Sequence, residues 1–550
     1  MKSSRGQSGM PLAILQKLHR QSASYLILIF LSVACGGTTD PLHEPIAASY
    51  AMIPLPVSDA PTGEIFILTE ETSVYVSPDI QALREVGEYL AEKLRPATGY
   101  DIDILPRGED NPPKGSISIA INDRDPSLGE EGYTLHITEE QVALSADTPA
   151  GVFRGIQTLR QALPPAIEES TIQPGPWQVA TRTVRDFPRF AWRGAMLDVA
   201  RHFFSVEEVK GVIDLLAYYK INRFHLHLTD DQGWRLMIHS WPNLAIYGGS
   251  TEVGGGCGGY YSQADYVDLV AYAESRYMML IPEIDMPGHT NAALASYAEL
   301  NEDGIAPPLY TGRAVGFSAL AVNNEITYTF IDDVIQEVAA LTPGPYIHIG
   351  GDEAFQVSEE EYAAFILRVD GIVQSHGKQM IGWEEIAEAD VSSPSMAQYW
   401  ADEAQARIAA QKGMKIIMSP ATRAYLDMKY NWFAPLIGGF WAGFINVQDA
   451  YTWDPSSQVG GLEEQMIVGV EAPLWTEFVQ TMEDIEFMTY PRLAGYAEIS
   501  WSPESERDWD GYRIRLGAHG ARWDAMDVNY YRSPLIPWGD SDPSVLKDKR

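Results

Sequence analysis

The spacing of apolar and polar positions along the chain predicts two folded regions of different type. In the first, from about residue 65 to residue 165, short strand patterns alternate with helical ones. Alternating apolar and polar side chains predict four strands, of which the last two form a hairpin: 72–76, 116–121, 133–137 and 141–145. Apolar positions at helical spacing predict two helices: 80–94 and 150–163. This region is therefore predicted to be a small α+β domain.

The second region begins near Arg193, where short apolar segments start to alternate with longer helical ones, a pattern typical of a parallel sheet. Eight segments are predicted to be its strands: 195–199, 223–229, 278–282, 346–350, 379–383, 396–399, 415–419 and 467–472. Ser205 and Glu208 form a capping box ahead of the first helix of this region. Eight such units over about 320 residues are typical of a (β/α)8 barrel. The predicted fold class is α/β, a TIM barrel preceded by a small α+β domain.

The N-terminus has the pattern of an export signal. Lys17, His19 and Arg20 precede an apolar run over 25–34 that is too short to span a bilayer as a helix. Cys35 follows directly, and residues 31–35 resemble a bacterial lipoprotein cleavage box, although Ser32 stands where a large aliphatic residue is usual. We therefore expect Cys35 to carry a lipid anchor, with a plain secretory signal as the alternative. Both place the protein outside the cytoplasm, in the periplasm, on the outer membrane or secreted.

Composition narrows the possible ligands. The chain has 39 Lys and Arg against 75 Asp and Glu, a net charge of −36, which repels nucleic acid and anionic membranes at long range. The simplest interpretation of such an acidic surface is an adaptation for solubility or to salt. Only two cysteines occur, Cys35 and Cys257, too few for a disulfide framework, and no clustered metal motif is present. We expect no metal, no cofactor and no nucleic-acid partner.

Polar and aromatic residues follow the predicted barrel strands, where barrels of this type carry their chemistry. Tryptophans can stack on the apolar faces of sugar rings: Trp383, Trp400, Trp441 and Trp475. Charged groups can bind sugar hydroxyls in pairs: Arg201, Asp427 and Glu477. One such tryptophan is more often part of a core than of a site, but several at the strand ends of one barrel indicate a carbohydrate site.

Two carboxylates in succession, Asp352 and Glu353, follow the fourth predicted strand and a pair of glycines. The glycines allow the backbone to turn and direct both side chains inward, and like charges that close raise the pKa of one of them. Cleavage of a glycosidic bond needs such a proton donor. Taken alone, the segment fits two solvated acids at the start of a loop better than a catalytic pair. His225 and His227 alternate with apolar residues and should point into the barrel, where we favour a structural role.

Several long segments together resemble glycoside hydrolase family 20, the β-N-acetylhexosaminidases. In the barrel they are residues 194–203, 225–235, 282–289, 350–353 and 475–477, and in the first domain residues 131–133 and 155–159. The resemblance implies an exo-acting retaining glycosidase that removes terminal non-reducing β-linked N-acetylhexosamine, GlcNAc or GalNAc, with chitin oligosaccharides among the possible substrates. It also implies substrate-assisted catalysis, in which the 2-acetamido oxygen of the substrate attacks C1 to give an oxazolinium-type intermediate.

The same resemblance implies roles for the residues of the reaction. Glu353 would protonate the leaving oxygen and then activate water. Asp352 would accept the acetamido N–H and stabilise the positive charge of the intermediate, while Tyr425 would donate to the acetamido oxygen. Asp230 and His289 would tune Glu353 through a hydrogen-bond relay, although a structural role for His289 is nearly as well supported.

The resemblance further implies how the sugar is bound. Three tryptophans would wall the acetamido pocket and the ring: Trp383, Trp400 and Trp475. Arg201 would hold the O3 and O4 hydroxyls, Asp427 and Glu477 would bind O4 and O6, and Trp441 would border the leaving sugar. The domain boundaries expected on this basis are a signal peptide over 1–35, a linker over 36–62, an α+β domain over 63–185, a catalytic barrel over 186–535 and a tail over 536–550.

Three other functions remain to be weighed. A family 18-type chitinase would need an Asp-x-x-Asp-x-Asp-x-Glu strand, which the sequence does not contain. A non-catalytic sugar-binding lipoprotein on the same barrel would keep the tryptophans and lose the acid, whereas Glu353 is present. A metal hydrolase would have to gather scattered ligands without a recognisable spacing: Asp198, His202, Asp230 and His289.

Overall fold

The computed structural model describes residues 51–108, 111–121, 125–434 and 437–539. The predicted leader over 1–35, including Cys35, lies outside these ranges, as does most of the predicted tail. Within them, no helix is both long and apolar enough to cross a membrane.

The N-terminal domain is a seven-stranded mixed sheet with two helices packed on it. Its strands, in chain order, are β1 Ser58–Ile67, β2 Val74–Val76, β3 Ile104–Pro106, β4 Ser116–Ile121, β5 Tyr133–Ile137, β6 Gln141–Ala146 and β7 Gln178–Asp186. They lie in the order β1-β7-β5-β6-β4-β2-β3, with β5 and β6 paired as the predicted antiparallel hairpin. Helices α1 Gln81–Thr98 and α2 Pro149–Ala162 pack against each other and against the sheet. The predicted small α+β domain is therefore present.

Strand β1 was not expected from the sequence. It begins at Ser58, so residues 58–62 of the predicted linker belong to the sheet, where β1 pairs antiparallel with β7 as an edge strand. Pro61 fits there because an edge strand needs fewer backbone donors, and the register shifts between Pro61 and Ile65. Nearly all of β1 is exposed, so no apolar alternation marks it in the sequence. At the other end, Ile536, in the predicted tail, is buried.

Eight parallel strands close into the predicted barrel. They are β8 Trp192–Asp198, β9 Arg223–His227, β12 Met279–Glu283, β13 Tyr346–His348, β14 Gln379–Trp383, β15 Met396–Tyr399, β16 Lys415–Met418 and β17 Ile467–Leu474. All eight predicted strands overlap these elements. A two-stranded ribbon, β10 Thr229–Asp230 and β11 Gly233–Trp234, follows β9 at the mouth of the barrel.

Helices lie between and after the barrel strands, and several of them pack against those strands. They are α3 Val206–Tyr218, α4 Asn243–Ile246, α5 Gln263–Glu274, α6 Asn291–Ser296, α7 Glu325–Leu341, α8 Glu359–Ser375, α9 Glu403–Gln411, α10 Ala421–Ala424, α11 Val447–Tyr451, α12 Pro455–Gln458, α13 Met482–Thr489, α14 Arg492–Trp501 and α15 Trp509–Ala525. The predicted capping box of Ser205 and Glu208 begins α3, and Ser358 with Glu361 caps α8 in the same way. These caps satisfy backbone N–H groups that the helix itself leaves free.

The barrel interior below the mouth is a buried network of histidines and glutamates. His225 lies 2.8 Å from Glu471 through Nδ1 and 3.0 Å from Glu283 through Nε2. His227 pairs with Glu283 and lies 2.9 Å from Asp230. Burial lowers the pKa of His225, but Glu283 and Glu471 together outweigh it and raise that pKa to about 9. The favoured structural role of both histidines fits these contacts, because each ring is held by carboxylates and supports the floor of the mouth.

Candidate active site

Asp352 and Glu353 leave β13 through a turn that only glycine can form. Gly350 and Gly351 have φ values of +65° and +98°, and a Cβ on Gly350 would lie 1.8 Å from Oδ1 of Asp285. Glu353 itself has φ +47°, a conformation that costs energy in a non-glycine residue. The turn directs both carboxylates to one place, because Oδ2 of Asp352 and Oε2 of Glu353 each lie 3.5 Å from Nε2 of His289. Their side chains are only 12% and 13% exposed, which removes the alternative of two solvated loop acids.

Asp352 is electrostatically the unusual member of the pair. Burial and the neighbouring charge of Glu353 raise its pKa to about 6, against the lowering effect of His289. Its Oδ1 is buried and has no hydrogen-bond partner among the described residues. A buried acceptor without a donor is costly, so this oxygen is an open position for a donor on a ligand.

A chain of charged groups links this pair to the wall of the barrel. His289 Nδ1 lies 3.3 Å from Asp230 Oδ1, and Asp230 Oδ2 lies 2.8 Å from the Arg201 guanidinium. Burial lowers the pKa of His289, but Asp230 and Asp352 raise it well above its usual value, so the imidazolium form persists at neutral pH. Conversely, Arg201 and His289 hold the pKa of Asp230 well below its usual range despite burial. The predicted relay of Asp230 and His289 therefore has the required contacts.

Aromatic side chains form a connected wall beside the carboxylates. The rings of Trp383 and Trp475 are 5.8 Å apart, and Tyr425 lies 6.3 Å from Trp475. The Trp400 and Tyr425 rings are nearly parallel, with centroids 6.5 Å apart. The Trp441 ring is close to perpendicular to both, with its centroid 5.9 Å from that of Trp400 and 5.8 Å from that of Tyr425. Four of these residues are buried, whereas Trp441 is 41% exposed and lies at the rim. The wall thus encloses an inner position and continues outward through Trp441.

The three predicted hydroxyl-binding groups, Arg201, Asp427 and Glu477, lie near one another, since the charge of Glu477 acts on both Arg201 and Asp427. The Arg201 guanidinium lies over the Trp475 ring at 4.8 Å, which fixes its orientation. Burial and the charge of Glu477 raise the pKa of Asp427 well above its usual value, and burial also raises that of Glu477 despite the attraction of Arg201. Oδ1 of Asp427 is buried without a hydrogen-bond partner in the described part of the chain. The structure therefore brings all twelve predicted site residues to one end of the barrel.

Comparison with known proteins identifies the family. The model for the catalytic domain of glycosyl hydrolase family 20 matches residues 190–504, and the model for domain 2 of that family matches residues 49–187. The chain belongs to glycosyl hydrolase family 20. A β-N-acetylhexosaminidase of Cellulomonas fimi is 39% identical over 89% of this chain and 97% of its own length. The predictions of a family 20 β-N-acetylhexosaminidase and of a catalytic rather than a merely sugar-binding protein are confirmed.

Solved structures agree with the family assignment. A family 20 β-N-acetylhexosaminidase of Streptomyces coelicolor superposes with a TM-score of 0.87 at 51% identity, covering 90% of this chain and all of that one. A mutant β-hexosaminidase of Streptomyces plicatus in complex with the product GlcNAc has a TM-score of 0.86 at 50% identity, covering 89% of this chain and 98% of that one. A carbohydrate is therefore the substrate class of this family 20 enzyme.

Three carboxylates to which the sequence analysis gave no role hold site residues in place through hydrogen bonds. Glu385 accepts the Trp400 indole N–H at 3.1 Å, and Glu283 accepts that of Trp383 at 3.1 Å. Asp285 accepts the Gly351 N–H at 3.2 Å and so holds the turn that carries Asp352. All three lie at the carboxyl ends of barrel strands: Glu283 and Asp285 at the end of β12 and Glu385 just after β14. Only the tertiary contacts show that they orient the wall and the turn.

The ligands weighed for a metal hydrolase do not come together as a set. Asp230 and His289 lie near Asp231, with ligand atoms within 4.8 Å of one another. Asp198 instead pairs with Arg201, and His202 Nδ1 lies 2.6 Å from the Thr476 carbonyl oxygen. Because the Arg201 guanidinium already neutralises Asp230, a cation placed there would meet a fixed positive charge.

Proposed function

We propose that this enzyme removes terminal non-reducing β-linked N-acetylhexosamine from oligosaccharides or glycoconjugates, with retention, through substrate-assisted catalysis. The main support is that Asp352 and Glu353 come from one turn and that each lies 3.5 Å from the same atom, Nε2 of His289. Asp352 also has a buried Oδ1 without a donor among the described residues, so it can hold the N–H of a substrate amide instead of attacking C1. The attack then falls to the 2-acetamido oxygen of the substrate.

Glu353 is the general acid and then the general base. It protonates the leaving oxygen as the acetamido oxygen bonds to C1 and the glycosidic bond breaks. It then takes a proton from the water that opens the oxazolinium ring. His289, held as a cation by Asp230, lies beside both carboxylates and balances their charge as the proton leaves and returns.

Asp352 and Tyr425 orient the attacking group. The unpartnered Oδ1 of Asp352 accepts the acetamido N–H, and the carboxylate stabilises the positive charge that develops on the ring nitrogen. A pKa of about 6 leaves Asp352 mostly ionised at neutral pH, as this role needs. Burial and the charge of Asp352 raise the pKa of Tyr425 well above its usual value, so its hydroxyl stays a donor for the acetamido oxygen. The acetamido methyl group packs between Trp383, Trp400 and Trp475.

The remaining groups select the terminal sugar. Arg201 donates to O3 and O4, and the free Oδ1 of Asp427, with Glu477, accepts from O4 and O6. These groups close the non-reducing end of the pocket, which gives an exo mode of action. The leaving sugar lies against Trp441 at the rim. The GlcNAc in the Streptomyces plicatus complex supports a 2-acetamido sugar, and the proposal includes both GlcNAc and GalNAc.

The test is hydrolysis of two aryl β-glycosides that differ only at C2, one with an acetamido group and one with a hydroxyl group. We expect rapid cleavage of the acetamido substrate alone, because the hydroxyl substrate carries no internal nucleophile. Comparable cleavage of both would show that the protein supplies the nucleophile and would contradict the central assignment.

We further propose that the enzyme is exported and anchored through a lipid on Cys35. The support is the signal pattern over 17–35 of the sequence. In a bacterial expression host, the wild type is expected in the membrane fraction with an acylated N-terminal cysteine detectable by mass spectrometry, and Cys35→Ser is expected to lack it. A soluble wild type cleaved near residue 35 without a lipid would favour the plain secretory signal.

A further inference from the structure

A cluster of exposed aromatic side chains lies beside the rim of the active site. The segment 429–444 that follows Tyr425 and Asp427 carries four of them outside the catalytic wall: Trp432, Phe433, Phe440 and Phe444, which are 74%, 93%, 62% and 39% exposed. Large apolar side chains grouped in water indicate a binding surface rather than a packing requirement. Neither the proposed chemistry nor the hydroxyl-binding groups use any of them.

Three of these rings form an ordered platform, which we define as Trp432, Phe440 and Phe444. Phe440 stacks on Phe444 with centroids 6.5 Å apart and planes 21° apart, and Trp432 meets the Phe444 edge at 5.9 Å. Ring faces held in one arrangement present flat apolar surface at little further entropy cost, as in other rigid aromatic recognition sites.

The platform is tied to the catalytic site by its backbone. The Gly439 N–H donates to the Asp427 carbonyl at 2.8 Å, and the Lys429 N–H donates to the Gly439 carbonyl at 2.9 Å. Arg492 holds both ends of the segment, because its guanidinium donates to the carbonyl oxygens of Met428 and Ile445. The backbone next to Phe440 and Phe444 is therefore held in place relative to Asp427.

Trp441 connects the platform with the inner pocket. It follows Phe440 in the chain, and its ring lies edge-on against both Trp400 and Tyr425 at about 5.9 Å and 5.8 Å. A substrate whose leaving sugar lies on Trp441 must send the rest of its chain outward past the rim. Phe440 directly precedes Trp441 in the chain, so the platform starts one residue from the rim of the pocket.

The charge of the surface indicates which chain it binds. The described residues among 429–444 include no carboxylate, although the protein as a whole has a net charge of −36. The only formal charge among them is Lys429, whose ammonium lies 5.9 Å from the Phe440 ring centre. Neutral sugar rings with apolar C–H faces match such a surface, and a strongly anionic polymer would meet the acidic remainder of the protein.

We propose that Trp432, Phe440 and Phe444 bind the second and later sugars on the leaving-group side, so that the enzyme prefers neutral β-linked N-acetylhexosamine oligosaccharides longer than a disaccharide. This inference rests on the proposed function, because it assumes that the terminal sugar is cleaved in the pocket next to Trp441. It assigns to the chain a binding surface for polymer fragments in addition to the pocket for the terminal sugar.

The test compares kcat/KM for N-acetylglucosamine oligomers of two to six units with that for an aryl N-acetylglucosaminide. The variants are Trp432→Ala and Phe444→Ala, singly and together, with Trp432→Phe to retain a ring and Tyr247→Ala as a control at an exposed aromatic residue of another loop. We expect kcat/KM of the wild type to rise from the dimer to the tetramer. The double variant should lose about three- to tenfold on the tetramer. The dimer and the aryl substrate should be unaffected, and Trp432→Phe and Tyr247→Ala should resemble the wild type.

Three results would overturn this inference while leaving the proposed function intact. One is a wild-type kcat/KM that does not depend on oligomer length, and another is an equal loss on the aryl substrate and the tetramer. The third is a dependence of kcat/KM on oligomer length that stays unchanged in the variants while another property is lost. Loss of binding to phosphatidylglycerol vesicles would assign the platform to a lipid surface, and loss of a dimer in sedimentation velocity would assign it to a second copy of the chain. Failure of the wild type to cleave the aryl N-acetylglucosaminide would instead contradict the proposed function.

Discussion

His289→Asn offers a direct measure of how the buried cation controls the catalytic carboxylates. His289 has φ +55°, a conformation that asparagine tolerates better than most residues, so the backbone can be retained. The substitution removes a positive charge 3.5 Å from Asp352 and keeps a hydrogen-bonding side chain. Asp230 keeps its ion pair with Arg201, so this carboxylate is not left without a partner.

The expected shift follows from that distance. Two unit charges 3.5 Å apart interact by about 5 kcal/mol at an effective dielectric constant of about 20. This energy corresponds to about 3.5 pKa units, an upper bound for the change in the pKa of Asp352, and relaxation and water entry reduce the change to about one to two units. The pKa of Asp352, about 6 in the wild type, should therefore rise above 7. The orienting role needs the ionised carboxylate, so activity falls as pH drops through this pKa.

The assay is kcat/KM against pH from 4 to 9 on an aryl N-acetylglucosaminide, because this ratio reports the pKa values of the free enzyme. The acid limb of the wild type is expected near pH 6, and that of His289→Asn at least one unit higher, with much of kcat/KM recovered at pH 8 to 9. His376→Asn is the matched control, because this histidine contacts Asp332 at the surface, with Nε2 2.8 Å from Oδ1. A uniform drop in kcat/KM with the limb in its original place would refute the electrostatic reasoning and leave His289 a purely structural role.

Four further outcomes follow from the structure. Glu353→Gln should lower turnover by about 10²–10⁴-fold on sugar leaving groups and less on activated aryl leaving groups, and equal losses would contradict the role of general acid. Asp352→Asn should reduce cleavage of both substrate classes, since the acetamido group loses its orientation, and retained activity would exclude that role. Gly350→Ala should destabilise the fold by about 1–3 kcal/mol or more in urea unfolding, because its Cβ would lie 1.8 Å from Asp285; an unchanged midpoint would contradict the strained turn. The pKa of His225 is raised to about 9 in the folded protein, against about 6.5 in the unfolded chain. Its contribution to the free energy of unfolding is therefore complete below pH 6.5 and is lost as pH rises through about 9. Urea midpoints that do not fall between these pH values would contradict the buried ion network.

The sequence alone determined the architecture and the location of the chemistry. Each barrel strand is a short apolar segment bounded by polar residues, and each long helix has an apolar face and often a cap, so local burial patterns were sufficient to place all eight strands. Because the carboxyl ends of parallel strands meet at one end of a barrel, residues far apart in sequence, such as Arg201 and Glu477, could be assigned to one site. The Gly350–Gly351 pair also indicated a turn that directs Asp352 and Glu353 inward.

The tertiary structure decided what depends on distance between separate segments. Strand β1 is exposed along nearly all of its length, so its pairing with β7 leaves no periodicity to detect. The raised pKa of Asp352 results from burial, Glu353 and His289 acting together, and the supporting contacts of Glu283, Asp285 and Glu385 join different strands. The aromatic platform likewise depends on ring contacts that join Trp432, Phe440 and Phe444 across a loop. Local patterns encode which side of an element is buried, whereas pKa values and binding surfaces arise from charges and rings that the fold brings together across the chain.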